Sequence, residues 1–219
     1  MYFSKISLRR DATALQQLNQ YIHKNGYYYH QLVWQLFSDN NTEKNRDFIY
    51  RAEFNKGWPT FYTLSALEPF DMNNLWDVQV KNFQPKIKNG DTLFFMLQAN
   101  PRVCRKNEAG KTIYCDSIQD AFHKIKEDKQ SKADIIQEAG ANWLIKKSEK
   151  NGFMVKSVIA DNFQKHCFKK RKHANPILFS TIDFHGTLEV SDTEKFLSAL
   201  IKGIGAAKGF GCGMLMVKR

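Results

Sequence analysis

The sequence predicts an α+β protein made of two tandem units, and three observations support this class. Apolar residues alternate along some short segments and recur at helical spacing along others. The two kinds of segment follow one another in a similar order in each half of the chain. The 219 residues also give enough length to bury two small cores. We therefore expect one domain over residues 1–88 and a second over residues 91–219.

The first half alternates strand and helix patterns up to a linker candidate at residues 85–90. Its predicted elements are a strand, two helices and three strands, over residues 2–9, 12–24, 27–37, 48–54, 60–67 and 76–84. One stripe of the second helix should face the core, namely Tyr29, Leu32, Val33, Leu36 and Phe37. The turn-rich stretch 55–59 should join two of the strands as a hairpin.

The second half opens with a strong strand and closes with a helix, a glycine-rich stretch and a short strand. Its predicted elements are a strand, two helices, three strands, a helix and a last strand, over residues 92–97, 117–128, 132–148, 152–160, 162–168, 177–185, 193–202 and 214–217. That closing order is typical of the end of a ferredoxin-like unit. Each half is therefore predicted to form a small α+β sandwich.

The glycine-rich stretch, residues 203–213, holds five of the twelve glycines of the chain. Glycines at this density let backbone N–H groups approach a phosphate closely. A P-loop would need Gly-Lys followed by Ser or Thr, whereas Lys208 precedes a glycine, and a Rossmann turn would need a strand before it and a helix after it. An enzyme acting on a small nucleotide is therefore an alternative that rests on the glycines alone.

The formal net charge of +11 favours an acidic partner, and nucleic acid ranks ahead of an anionic membrane because no basic amphipathic helix is evident. The densest basic run lies between two predicted strands and suggests a basic hairpin carrying Lys165, Lys169, Lys170, Arg171 and Lys172. Arg102 and Arg105 come directly after Asn100 and Pro101, which end a predicted strand. Cations spread along a surface are what a phosphate backbone requires. An ordinary solvated turn is the alternative for the run.

Tyr27 and His30 are three positions apart on a predicted helix, so they share a face that is rotated away from the apolar stripe. An imidazole can donate or accept a proton near neutral pH, and a phenol can orient or donate. Such a pair suits RNA cleavage by the substrate's own 2′-hydroxyl, which requires proton transfer but no metal. A locally satisfied histidine is the simpler alternative. The pattern leaves open which residue is acid and which is base.

The histidines and cysteines match no metal-binding pattern, so we expect neither a metal nor another cofactor. The six histidines show no HExxH spacing, and the four cysteines show no Cys-x-x-Cys spacing. We expect the cysteines to be reduced thiols. The start has no apolar leader and no eighteen apolar residues run together, so we expect a cytoplasmic protein.

Five blocks spread in order over nearly the whole chain resemble the CasE family of CRISPR repeat endoribonucleases, namely Met1–Ile6, Tyr27–Phe37, Arg46–Arg51, Leu97–Pro101 and Gly203–Gly213. The resemblance implies two tandem ferredoxin-like (RRM-like) domains. It also implies metal-independent cleavage of stem-loops in precursor CRISPR RNA, leaving a 2′,3′-cyclic phosphate and a 5′-hydroxyl. The implied partners are this RNA, precursor and mature, and the other subunits of type I-E Cascade. No membrane is implied, and the isolated protein is expected to be a monomer.

By the same resemblance, His30 matches the catalytic histidine of the family and Tyr27 its companion. The glycine-rich stretch matches an RNA-contacting loop, in which we expect contacts from Gly205, Lys208 and Gly211. The chain departs from the family pattern at Gln31 and Ser38. The main alternative is a non-catalytic RNA-binding scaffold subunit, because a glycine loop and a basic hairpin fit both functions. The Tyr27 and His30 pair favours cleavage.

Overall fold

The computed structural model describes residues 1–22, 27–37, 46–72, 74–124, 131–168 and 175–219, with the backbone alone described at 18–22 and 27–28. The chain divides into two compact units. The first unit comprises Met1–Lys86, Cys167–Leu178 and Gly209–Gly211, and the second comprises Ile87–His166, Phe179–Lys208 and Cys212–Arg219. The domain limits expected from the sequence stay a prediction. Within the described ranges, no helix has the length and apolar character needed to span a membrane.

The first unit is a four-stranded sheet with helices between its first two strands. Its elements are β1 Tyr2–Leu8, α1 Ala12–Ile22, α2 Tyr27–Gln35, β2 Phe48–Asn55, β3 Trp58–Ser65 and β4 Trp76–Asn82. The strand order is β2-β3-β1-β4, and neighbouring strands are antiparallel. The first and third strands are therefore central, which is the ferredoxin-like arrangement. The described part of the β3–β4 connection contains no helix.

The core of the first unit lies between its sheet and α2. Strand β1 buries alternate residues, ending with Ile6 and Leu8. The predicted stripe of α2 is confirmed. Leu32, Val33 and Leu36 are buried, and Tyr29 and Phe37 pack against the hydrophobic core of the unit. Lys56 and Gly57 both adopt left-handed backbone angles in the β2–β3 turn. This tight turn places Trp58 and Pro59 in β3 rather than in the connection.

The second unit repeats the same strand order around its own core. Its elements are β5 Thr92–Ala99, β6 Arg102–Lys106, β7 Thr112–Asp116, α3 Ser117–Lys124, α4 Lys132–Ser148, β8 Phe153–Phe168, β9 Ile177–Val190, α5 Thr193–Lys202 and β10 Leu215–Lys218. The sheet order is β10-β5-β9-β8, so its first and third strands in chain order, β5 and β9, are again in the centre. The predicted fold class of two tandem ferredoxin-like units is confirmed.

Two details of the second unit differ from the sequence prediction. The two strands predicted over 152–160 and 162–168 form one strand, β8, because Asn162 takes a left-handed backbone angle within it and the strand continues. The side-chain amide of Asn162 donates to Asp183 on β9 at 2.6 Å, which holds this bulge in place. The short hairpin β6–β7 was not predicted, because most of its residues are exposed and show no apolar alternation.

Candidate active site

Helix α2 positions His30 at the centre of a polar and aromatic cluster in the first unit. The imidazole is partly buried, and its Nδ1 contacts the carbonyl oxygen of Gly209. A carbonyl oxygen can only accept, so Nδ1 carries the proton and donates it. The Nδ1 contact fixes the orientation and the tautomer of the ring. In the neutral ring with this tautomer, Nε2 carries the lone pair and is the basic nitrogen.

The same carbonyl oxygen of Gly209 accepts a second hydrogen bond, from the hydroxyl of Tyr50 at 3.1 Å. Tyr50 lies on β2 and is only 2% exposed. Its ring also lies against Gly211, where a Cβ would stand 3.1 Å from Cε2 of Tyr50. Gly211 has φ of +86°, in the left-handed region. The buried tyrosine thus holds the glycine stretch at two points.

Aromatic rings fix the plane of the imidazole. His30 stacks on Phe210 with centroids 5.4 Å apart, and it meets the edge of Trp34 at 5.7 Å. Phe210 also lies 5.9 Å from the ring of Phe168. We call His30, Trp34, Tyr50, Gly209 and Phe210 the His30 cluster. All of its members belong to the first unit.

Arg46 brings a positive charge to the His30 cluster. Its Nη1 lies 3.2 Å from the point that a Cβ on Gly209 would occupy, and Cε1 of His30 lies 3.5 Å from that same point. Burial lowers the pKa of Arg46 below its ordinary value, and the nearby Tyr50 opposes this effect. A guanidinium stays charged in proteins despite such a shift. The cluster thus combines a proton-transfer group with a cation.

The family model described as CRISPR associated protein matches residues 1–219 of this chain. The chain belongs to the CRISPR associated protein family. Its curated relatives include the CRISPR system Cascade subunit CasE of Escherichia coli, which is 26% identical over 98% of both chains. The CRISPR-associated endoribonuclease Cse3 of Thermus thermophilus is 29% identical over 147 residues, or 63% of this chain and 60% of that protein.

Solved structures of CRISPR proteins share the fold of the whole chain. A Cse3 endoribonuclease bound to a 19 nt RNA superposes with a TM-score of 0.73 at 22% identity and covers 100% of both chains. The Cas6e protein of Escherichia coli gives a TM-score of 0.67 at 24% identity, with 99% of this chain and 98% of that chain covered. The resemblance to the CasE family is confirmed.

The glycine stretch of this CRISPR family member contains two kinds of glycine. A Cβ on Gly205 would lie 3.3 Å from the ring of Trp143, which is buried in the second unit, so Gly205 packs on that core. Gly211 instead packs on Tyr50 in the first unit. Lys208 begins a short 3-10 turn that ends at Phe210. Contact of Gly205, Lys208 and Gly211 with RNA stays a prediction.

Arg102 and Arg105 lie on β6 in the second unit of this CRISPR family member. The guanidinium of Arg102 stands 3.8 Å over the ring of Tyr114, and Arg105 forms an ion pair with Asp120. Both arginines line a cleft of about 640 Å³ between β6, α3 and α4. The basic residues that line this cleft are Arg102, Arg105, Lys124, Lys146, Lys147 and Lys150. The excess of positive charge fits the predicted contact with phosphates.

Some predicted site residues are described only in part, and others lie outside the described residues. Tyr27 is the first residue of α2, and its side chain is outside the described part, so its pairing with His30 stays a prediction. Lys165 is exposed on β8. The basic tip of the predicted hairpin lies outside the described residues, namely Lys169, Lys170, Arg171 and Lys172.

Sequence reasoning assigned no individual role to Arg46, Tyr50 and Phe210. Arg46 and Tyr50 fall within one of the blocks that resemble the CasE family, but no spacing rule connects them with His30. Phe210 sits among the glycines, and its stacking on His30 joins positions far apart in the chain. The one available signal was an aromatic residue inside an otherwise glycine-rich stretch.

Proposed function

We propose that this CRISPR family member is the endoribonuclease that processes precursor CRISPR RNA within a type I-E Cascade. It cuts at CRISPR repeat stem-loops and retains the mature RNA. The observation that carries this proposal is the hydrogen bond from Nδ1 of His30 to the carbonyl of Gly209, which presents Nε2 for proton transfer. The names of its relatives support the same function, since they include a Cascade subunit and an endoribonuclease.

In the proposed reaction, the 2′-hydroxyl of the RNA attacks the adjacent phosphorus in line, and the bond from phosphorus to the 5′ oxygen breaks. The 2′-hydroxyl gives its proton to solvent water as the new P–O bond forms, and the leaving 5′ oxygen gains a proton as the old P–O bond breaks. His30 supplies this second proton: as the imidazolium it keeps Nδ1–H on the carbonyl of Gly209 and donates from Nε2, which leaves a neutral ring. Tyr27 orients the nucleotide. The products are a 2′,3′-cyclic phosphate and a 5′-hydroxyl.

The proposed reaction needs no metal, because the nucleophile is the 2′-hydroxyl of the substrate and His30 donates the proton to the leaving oxygen. We therefore expect cleavage of the protein's cognate CRISPR repeat RNA to continue at an unchanged rate in excess EDTA. The 3′ end of the upstream product should resist phosphatase until acid opens the cyclic phosphate. Cleavage that stops in EDTA and returns with added Mg²⁺ would contradict metal independence. Tight binding without cleavage would favour the scaffold function.

The basic tip should supply phosphate contacts. We expect replacement of Lys169, Lys170, Arg171 and Lys172 by glutamine to weaken RNA binding and to reduce the slope of log K against log salt. The slope should fall by about 0.7 to 0.9 for each phosphate contact that is lost. A control variant removes the same charge from exposed lysines elsewhere, namely Lys5, Lys56, Lys81 and Lys88. Equal slopes in the wild type and the tip variant would mean that the tip is only solvated.

The remaining expectations from the sequence stay predictions. They are the cytoplasmic location, the monomeric state of the isolated protein, and the RNA contacts of Arg102 and Arg105. Size-exclusion chromatography with light scattering tests the oligomeric state directly.

A further inference from the structure

We propose that Arg46 binds the scissile phosphate and stabilises the negative charge that develops on it during cleavage. This inference rests on the proposed function, in which a phosphate must lie within reach of His30. In-line attack concentrates charge on the non-bridging oxygens of that phosphate, and a fixed cation there lowers the barrier. The proposal assigns a substrate contact to a residue for which the sequence gave no role.

Arg46 and His30 approach one point beside Gly209. Nη1 of Arg46 and Cε1 of His30 lie 3.2 and 3.5 Å from the position that a side chain on Gly209 would occupy. Because residue 209 is glycine, the guanidinium and the imidazole can approach each other there. A group that protonates the leaving oxygen must lie within hydrogen-bond reach of it. A cation this near to His30 can therefore contact the same phosphate.

The guanidinium of Arg46 also keeps hydrogen-bonding capacity for a ligand. Its Nε is buried, and it finds no acceptor among the residues that the structure describes. No carboxylate of the described ranges forms an ion pair with Arg46, whereas Nε of Arg51 on β2 binds Glu53 at 3.1 Å, although Nη1 of Arg51 is also buried without an acceptor. A buried N–H group without an acceptor is costly. Because Nε is enclosed, we assign the phosphate contact to Nη1, which lies beside His30.

The planar fork of a guanidinium matches the oxygens of a phosphate. Arginine can donate two parallel hydrogen bonds to one phosphate, and each is strengthened by charge. Arg46 is partly buried, and this burial lowers its pKa below the ordinary value because the charged form loses hydration. An anion would compensate for this desolvation. The geometry, the unused donor and the burial thus agree on an anionic ligand.

The test compares Arg46→Gln and Arg46→Lys with a matched control, Arg51→Gln, whose arginine already has a carboxylate partner. Single-turnover cleavage of the CRISPR repeat RNA is measured at saturating protein, with thermal unfolding as the check on folding. We expect Arg46→Gln to cleave about 10²- to 10³-fold more slowly, the range seen when one charge-stabilising donor is removed. Arg46→Lys should recover part of the rate, and Arg51→Gln should stay within about threefold of wild type.

A second measurement separates phosphate contact from a purely structural role. The RNA carries a 2′-deoxy nucleotide at the cleavage site, which prevents reaction, and either a normal or a neutral methylphosphonate linkage there. We expect the neutral linkage to weaken binding by wild type and to have little effect on binding by Arg46→Gln. An equal loss in both proteins would overturn the proposal. Arg46→Met, which keeps an apolar stem, replaces Arg46→Gln if the latter unfolds.

The outcomes distinguish this inference from the proposed function. If wild type cleaves the RNA and Arg46→Gln cleaves at a rate within about threefold of it, the role of Arg46 is wrong and the proposed function stands. If wild type binds the RNA but does not cleave it, the proposed function fails. If Arg46→Gln cleaves slowly and binds the normal and the methylphosphonate RNA equally well, the result supports both the proposed function and the role of Arg46.

Discussion

Replacing His30 by alanine should slow single-turnover cleavage of the CRISPR repeat RNA by about 10²- to 10⁴-fold, the usual contribution of general acid–base catalysis. The reason lies in the hydrogen bond from Nδ1 to the carbonyl of Gly209, which orients the ring for the proposed proton transfer at Nε2. RNA binding should change little, because a proton donor contributes mainly in the transition state. The measurement uses saturating protein so that any loss of affinity does not enter the rate.

A matched control for this prediction is His166→Ala. His166 is also partly buried, it stacks on Phe179 with centroids 4.9 Å apart, and its Nε2 lies 2.8 Å from the hydroxyl of Thr181. Burial lowers the pKa of His166 below its ordinary value, which favours the neutral ring. We expect this variant to cleave within about threefold of wild type. A decrease of less than tenfold in His30→Ala would remove the catalytic assignment.

Replacing Gly211 by alanine should reduce cleavage by about 10- to 10²-fold, because a displacement of about 1 Å in a catalytic site can cost this much. A Cβ at this position would stand 3.1 Å from the ring of Tyr50, which is buried and cannot move aside easily. The chain around residue 211 would have to shift instead. That shift moves the carbonyl of Gly209, two residues earlier, away from Nδ1 of His30.

Gly90→Ala is the control for the backbone strain in Gly211→Ala. Gly90 has φ of +85° and Gly211 has φ of +86°, so alanine is strained equally at both positions. Such strain costs about 1–2 kcal/mol of stability. No atom lies within 4 Å of a Cβ on Gly90, so only Gly211→Ala adds the contact with Tyr50. We expect both variants to unfold at lower temperature but only Gly211→Ala to lose cleavage. Equal cleavage by the two would show that the contact with Tyr50 does not position the glycine stretch.

Local patterns predicted the elements and the position of His30, because these depend on neighbours in sequence. Leu32, Val33 and Leu36 recur at helical spacing, so the sequence shows which face of α2 is buried and that His30 lies on another face. The continuous strand β8 was not predicted, since asparagine is common in turns and the sequence does not show that Asn162 takes its left-handed backbone angle within a strand.

The partners of His30 could not be predicted from local patterns. Gly209 and Phe210 meet the histidine because the chain returns to the first unit after building most of the second. Arg46 precedes β2 and reaches the same point only through the fold. Contacts of this kind depend on tertiary packing, for which a single sequence contains no periodic signal. The resemblance to CasE pointed to His30, and the structure adds Arg46, Tyr50 and Phe210.

The hydrogen-bond acceptor for Nδ1 of His30 is a main-chain oxygen that is synthesised late. Gly209 follows His30 by 179 residues. During translation, the acceptor for Nδ1 of His30 is therefore made only after most of the chain. The first unit therefore completes the His30 cluster only after most of the second unit has been made, although its sheet uses residues that emerge first. A ribosome-bound chain that stops before the glycine stretch should have the sheet of the first unit but no fixed imidazole.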